Sequence, residues 1–161
     1  MIKRNTGTKV GVAAVLALAL AACGDAVGPE VTDVEFAASL GIDLALMTET
    51  ASGLFVREEL IGEDEPAAAG DQVTVAYTGW LADGEIFDSS ASFVITALPV
   101  LGGPGLIAGF TECVTGMRVD GIKTCVLPAD LGYESEGQGN IPSDAVLIFE
   151  ITVLSIVRPQ G

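Results

Sequence analysis

The stretch of sequence that decides the fold is residues 72–90, which read QVTVAYTGWLADGEIFDSS. Within residues 73–77, two valines and a tyrosine occupy alternate positions, so a strand would place them on one face and the residues between them on the other. Asp83-Gly84 is a turn signal, and the chain becomes strand-like again beyond it, from Ile86 onward. These residues predict two strand-forming segments separated by a turn.

Five strands are predicted in all: one on each side of the turn, the second of them including Phe93 and Ile95, and three more at 53–60, 122–127 and 145–157. One helix is predicted at 106–114, where apolar residues recur at helical spacing. Strands lie on both sides of this single helix and do not alternate with helices. The expected fold class is therefore α+β, with an antiparallel sheet wrapped around one short helix.

The first 22 residues have the pattern of an export signal. Three basic residues precede an apolar run that is shorter than the ~20 apolar residues needed to span a membrane. The run ends in LAAC at 20–23, which is similar to a bacterial lipobox. This pattern predicts that Cys23 carries a lipid; an unlipidated signal peptide and a buried cysteine are the alternatives.

The chain is therefore divided into a signal peptide at 1–22, a tether at 23–51 and a folded domain at 52–161. The tether has several acidic residues and no stretch long enough to form a core of its own. A brief helix or a strand-like arm could form within it.

The charge of the chain argues against one class of partner. The sequence contains 22 acidic and 7 basic residues, and the leader holds three of the basic ones and none of the acidic ones. Proteins that bind nucleic acid show clustered lysine and arginine, so nucleic acid is a poor candidate partner. A surface adapted to solubility or salt is favoured over an acidic binding surface.

The remaining cysteines and the absence of histidine restrict the chemistry. Cys113 and Cys125 form an even pair in a chain predicted to leave the cytoplasm, which favours a disulfide over two separate buried thiols. The sequence has no histidine, so Ser-His-Asp catalysis, Cys-His catalysis and histidine-based metal sites are excluded. No metal and no cofactor are expected.

About 105 residues of the chain resemble the FKBP family of peptidyl-prolyl cis-trans isomerases. Three ordered signatures carry the resemblance: VTVAYTGWL at 73–81 with FDSS at 87–90, LIAGF at 106–110 with GM at 116–117, and LPA at 127–129 with Tyr133, IP at 141–142 and LIFE at 147–150. The family fold is a half-barrel sheet packed on a helix, and its apolar cavity holds a proline ring. That architecture is the one expected here.

The resemblance implies a set of site residues. Asp88, Tyr133 and Ile107 would act on the twisting amide, with the Tyr133 hydroxyl and the Ile107 N–H holding substrate carbonyls and the Asp88 carboxylate facing the amide. The substrate-binding residues would be Tyr77, Phe87, Phe93, Leu106, Phe110, Ile141 and Phe149. Aromatic residues on strands usually belong to the core, and Asp88 could also stabilise the turn that follows Phe87. The family usually has tryptophan where this chain has Phe110.

The function implied by the resemblance is isomerisation of Xaa-Pro bonds in exported proteins, assisting their folding. Rotation about this bond has a barrier of ~20 kcal/mol and breaks no covalent bond, so an apolar cavity that disfavours the planar amide suffices. The alternatives are a binding module or chaperone that holds proline peptides with little catalysis, and a structural lipoprotein. The protein is expected in the bacterial cell envelope, as a monomer attached to the membrane by its N-terminal lipid only.

Overall fold

A computed structural model of the chain describes residues 28–100 and 105–159. The predicted signal peptide and the predicted lipidation site, Cys23, lie outside the described residues. None of the helices in the described residues has the length and hydrophobicity of a transmembrane segment.

Six strands form a single antiparallel sheet, in the order β1-β2-β5-β6-β3-β4. The strands are β1 (Thr48–Glu49), β2 (Phe55–Leu60), β3 (Gln72–Leu81), β4 (Ile86–Ile95), β5 (Ile122–Leu127) and β6 (Leu147–Val157). The α-helix α1 (Ala108–Val114) packs on one face of the sheet, which we call the concave face. The predicted α+β class and the antiparallel sheet around one short helix are confirmed.

The quoted stretch forms the β3–β4 hairpin, and β4 continues through the second strand-like segment to Ile95. The register shifts twice, because β4 has one extra residue between the partners of Val75 and Tyr77 and another between the partners of Gly79 and Trp80. A β-bulge re-aims the side chains around it. The second bulge explains how the neighbours at 87 and 88 can lie on the same side of β4, where a regular strand would place them on opposite faces.

The main core lies between α1 and the concave face of the sheet. Phe110 and Val114 of α1 are buried there with Val75, Phe149 and Ile151 from the central strands. The helix approaches the sheet closely at Gly109, where a Cβ atom would lie 2.5 Å from the Leu127 side chain. A larger residue at this position would push the helix away from β5.

A disulfide between Cys113 and Cys125 joins α1 to β5, with the two Cα atoms 6.3 Å apart. Both cysteines are fully buried in the main core. The cysteine pairing expected from the sequence is therefore present in the structure.

Replacing both Cys113 and Cys125 by alanine is expected to lower the free energy of unfolding by about 3 kcal/mol, because the bridge closes a loop of 12 residues. Urea unfolding of the two proteins at the same pH measures the difference. A reducing agent should lower the stability of the wild-type protein and leave the double variant unchanged. Equal stability of the oxidised wild-type protein and the variant would contradict the prediction.

The segment preceding β1 is more ordered than the tether expected from the sequence. Short 3-10 helices occur at Val31–Asp33, Ala38–Leu40 and Leu44–Leu46. We call residues 28–47 the N-terminal arm. Its backbone is joined to the end of the β3–β4 hairpin, since the Ala37 N–H donates to the Ala82 carbonyl at 2.8 Å.

The N-terminal arm covers part of the opposite, convex face of the sheet and forms a second apolar cluster there. Val31 is 3% exposed and is buried with Phe55, Val126, Val146 and Ile148. The apolar residues of the arm are irregularly spaced, so no helical or strand period reveals the packing in the sequence. The arm is therefore a second layer of the folded unit within the described residues.

Candidate functional site

A cavity of about 650 Å³ opens between the concave face of the sheet, the start of α1 and the loop that follows β5. Nine of the ten residues that the sequence implicates in the pocket line it: Tyr77, Phe87, Asp88, Phe93, Leu106, Ile107, Phe110, Tyr133 and Phe149. Ile141 does not line this cavity. It is buried beside it and borders an adjoining recess that also includes Phe87 and Tyr133.

The aromatic walls of the cavity contact one another edge to face. The ring centroid of Phe110 lies 5.3 Å from that of Tyr77 and 5.2 Å from that of Phe149. The centroids of Phe87 and Phe149 are 5.4 Å apart. Tyr77 also makes a T-shaped contact with Phe93 at 5.8 Å. Edge-to-face packing is one of the two favoured arrangements of aromatic pairs, so these contacts stabilise the shape of the apolar surface.

The carboxylate of Asp88 is held in place at this cavity by two hydrogen bonds. The Tyr77 hydroxyl donates to one oxygen at 2.6 Å, and the Ser89 backbone N–H donates to the other at 2.8 Å. The bond to Ser89 is the local backbone interaction that the sequence suggested for an aspartate here. The bond from Tyr77 crosses from β3 to β4 and was not predicted.

Comparison with known proteins identifies the family of this fold and cavity. Residues 63–154 match the family model described as FKBP-type peptidyl-prolyl cis-trans isomerase. This chain belongs to the FKBP family. The resemblance found in the sequence signatures is confirmed.

Several relatives of this FKBP domain are known. An FK506-binding protein of Neisseria meningitidis serogroup B is 36% identical over 105 residues, which cover 65% of this chain and 96% of the relative. The crystal structure of a peptidyl-prolyl cis-trans isomerase from Pseudomonas syringae superimposes with a TM-score of 0.62 at 30% identity, covering 70% of this chain and 82% of that one. The peptidyl-prolyl cis-trans isomerase FKBP9 of Bos taurus is 34% identical over 132 residues, but this chain spans only 23% of its length.

Two further groups of the FKBP cavity differ in how they are held. Ile107 has an extended backbone and immediately precedes α1. Its N–H therefore has no acceptor within the helix, as is general for the first N–H groups of a helix. Tyr133 follows the 3-10 helix at Ala129–Leu131, and within the described residues its hydroxyl has no hydrogen-bond partner. Burial raises the pKa of Tyr133, and the negative charge of Asp88 raises it further. Tyr133 therefore remains a neutral donor at physiological pH.

Sequence reasoning missed several residues of the cavity. Asp130, Glu134 and Gln138 from the loop after β5 line it. Gly79 packs directly against two rings of the cavity wall, because a Cβ atom at this position would lie 2.6 Å from Phe87 Cζ and 2.9 Å from Phe149 Cε1. The only signal in the sequence was that Gly79 belongs to the first signature; its position opposite Asp88 across the hairpin is seen in the structure. Within the described residues, no cluster of three or more histidine, cysteine or acidic side chains could hold a metal ion.

Tyr77 gives the FKBP cavity a predicted dependence on alkaline pH. Burial raises the pKa of Tyr77, and the hydrogen bond to Asp88 and the charge of that carboxylate raise it further. A tyrosine whose pKa is higher in the folded than in the unfolded state stabilises the fold at pH values below its unfolded pKa of about 10. This stabilisation is lost as the pH rises through the folded-state pKa. The free energy of unfolding should therefore fall as pH rises above about 10.

Tyr77→Phe is expected to reduce this alkaline loss by about 1 kcal/mol between pH 9 and pH 11, since the side chain is only partly buried and solvent screens its interactions. Urea unfolding of both proteins across this range provides the measurement. Burial lowers the pKa of Lys123, and its effect on stability has the opposite sign. It is common to both proteins and cancels in the comparison. Parallel pH profiles for the two proteins would refute the assignment.

Proposed function

We propose that this FKBP domain catalyses cis-trans isomerisation of Xaa-Pro bonds. The observation that carries the proposal is the convergence of Asp88 and Tyr133 on one cavity walled by aromatic rings. A planar amide is more dipolar than a twisted one. An apolar cavity therefore disfavours the ground state relative to the transition state.

In this proposal the polar groups orient the peptide and the apolar groups bind it. The Tyr133 hydroxyl and the Ile107 N–H donate to substrate carbonyls on either side of the proline. The Asp88 carboxylate, fixed by Tyr77 and Ser89, faces the twisting amide without exchanging a proton. The proline ring is bound by the apolar side chains of Tyr77, Phe87, Phe93, Leu106, Phe110 and Phe149, and Ile141 supports the adjoining recess.

The proposed substrates are proline-containing segments of exported proteins, whose folding the domain assists. The export signal predicted at 1–22 supports this placement, and Cys23 is proposed to carry the lipid that attaches the protein to a membrane of the bacterial envelope. The domain would work outside the cytoplasm as a monomer. Nucleic acid is not a proposed partner, because the acidic residues greatly outnumber the basic ones.

The proposed roles of Asp88 and Tyr133 can be tested by substitution. Asp88→Ala and Tyr133→Phe should each lower kcat/KM for a proline tetrapeptide by about ten-fold, which corresponds to ~1.4 kcal/mol of transition-state stabilisation. Glu150→Ala is the matched control, because Glu150 is an exposed acidic residue of β6 outside the cavity. Values of kcat/KM that equal the wild type in both cavity variants would remove these residues from the mechanism.

A further inference from the structure

Within the described residues, all the charged residues that line the cavity are acidic. Asp88, Asp130 and Glu134 contribute carboxylates to the lining, and neither lysine nor arginine contributes to it within the described residues. Asp88 already accepts hydrogen bonds from Tyr77 and Ser89. Asp130 and Glu134 are exposed residues, and both line the same cavity.

The described cations are engaged elsewhere in the fold. Arg57 forms an ion pair with Glu59 at 2.5 Å, and Arg158 forms one with Glu65 at 3.5 Å. Lys123 of β5 is buried, and its ammonium group donates to the Cys113 carbonyl at 3.2 Å. The remaining one, Arg118, donates to the Asp64 carbonyl. None of them neutralises the rim.

The loop that carries the two free carboxylates is fixed by its backbone. The Glu134 N–H donates to the Ala129 carbonyl at 2.9 Å, and the Asp144 N–H donates to the Glu134 carbonyl at 2.8 Å. Glu134 has a φ of 51°, an uncommon conformation for a residue other than glycine. The backbone that carries Glu134 is therefore held in a defined conformation beside the cavity.

The field of these carboxylates reaches across the opening. A cavity of about 650 Å³ is roughly 11 Å across when taken as a sphere, which is comparable to the Debye length of ~10 Å at 0.1 M salt. The charge of Asp88 is one cause of the raised pKa of Tyr133, which also lines the cavity. A substrate side chain next to the bound proline would lie within this field.

Given the isomerase function proposed above, we infer that Asp130 and Glu134 determine specificity and that the domain favours prolines flanked by lysine or arginine. A basic flanking residue is attracted to the two carboxylates, and an acidic one is repelled. The effect is electrostatic and depends on an exposed rim, so salt should weaken it strongly. Preferred clients would be basic proline-containing segments.

Three tetrapeptides that differ only in the residue before proline, which is lysine, alanine or glutamate, provide the test. At 20 mM salt the kcat/KM ratio of the lysine peptide to the glutamate peptide should be about ten-fold, and at 0.5 M salt it should fall below about two-fold. The double variant Asp130→Asn, Glu134→Gln should also bring the ratio below about two-fold at 20 mM salt. Glu136→Gln is the matched control, since Glu136 is an exposed acid of the same loop that does not line the cavity.

The ratio is internal to each protein, so a variant that is less active overall still gives a result. A ratio near one at low salt in a wild-type protein that accelerates all three peptides would overturn the inference and leave the isomerase function standing. A ten-fold ratio that persists in the double variant would show that other groups set the preference. Failure to accelerate any of the three peptides would overturn both the inference and the function on which it rests.

Discussion

Gly79→Val is expected to lower kcat/KM for Xaa-Pro peptides by about 100-fold. A Cβ atom at this position would lie 2.6 Å from Phe87 and 2.9 Å from Phe149, both closer than side-chain carbons approach. The two rings must then move, and the space available to them is the cavity. Misplacement by about 1 Å in a binding site can cost ~100-fold in rate.

The matched control is Ala76→Val, which adds two methyl groups to the same strand on its opposite, convex face. Circular dichroism and urea unfolding of each variant separate crowding of the cavity from unfolding of the domain. If Gly79→Val proves too unstable to assay, Gly79→Ala supplies the same Cβ atom with less crowding. Its kcat/KM should still be at least about ten-fold lower than that of the wild type. A folded Gly79→Val protein with nearly wild-type kcat/KM would show that these rings do not shape the substrate site.

Val31→Asp is expected to lower the free energy of unfolding by about 3 kcal/mol, because it places a charge in the apolar cluster between the N-terminal arm and the sheet. Leu46→Asp is the control, since Leu46 belongs to the same arm and is 70% exposed. It should change the stability by less than about 0.5 kcal/mol. Urea unfolding measures both.

A chain that begins at residue 48 should show a loss at least as large as that of Val31→Asp, and it should associate through the uncovered side chains of Phe55, Trp80 and Ile148. Sedimentation measures the association. If the shortened chain were monomeric and as stable as the longer one, the arm would be only a tether, which is the interpretation that the sequence alone gave.

Much of the fold was predictable because the apolar residues of its main elements recur at regular intervals in the sequence. The alternation in β3, the Asp83-Gly84 turn and the apolar run of β6 each agree with the structure. The N-terminal arm was not predictable, since its 3-10 helices have three residues each and no repeat. The bulges in β4 were also invisible, because an extra residue in an edge strand leaves no regular mark in a single sequence.

The site was predictable where the family signatures carry it and unpredictable where it depends on packing between distant elements. The aromatic walls follow from the signatures. The Tyr77–Asp88 hydrogen bond depends on the register of β3 and β4, which the sequence did not specify. Asp130 lies in the short 3-10 helix after β5, and no period in the sequence placed it at the cavity. Glu134 lies in the acidic loop after Tyr133, which the family resemblance places near the substrate without giving its conformation.

The most direct test of the central claim is the rate of cis-trans exchange in a short Xaa-Pro peptide, measured by NMR exchange spectroscopy with and without a catalytic amount of the chain lacking its predicted leader. The uncatalysed exchange takes ~10 to 100 s. We expect the protein to increase the exchange rate without added metal or nucleotide, and Tyr133→Phe to remove most of the increase. Binding of the peptide with an unchanged exchange rate would contradict catalysis and favour a binding module, and an absence of binding would contradict the assignment of the cavity itself.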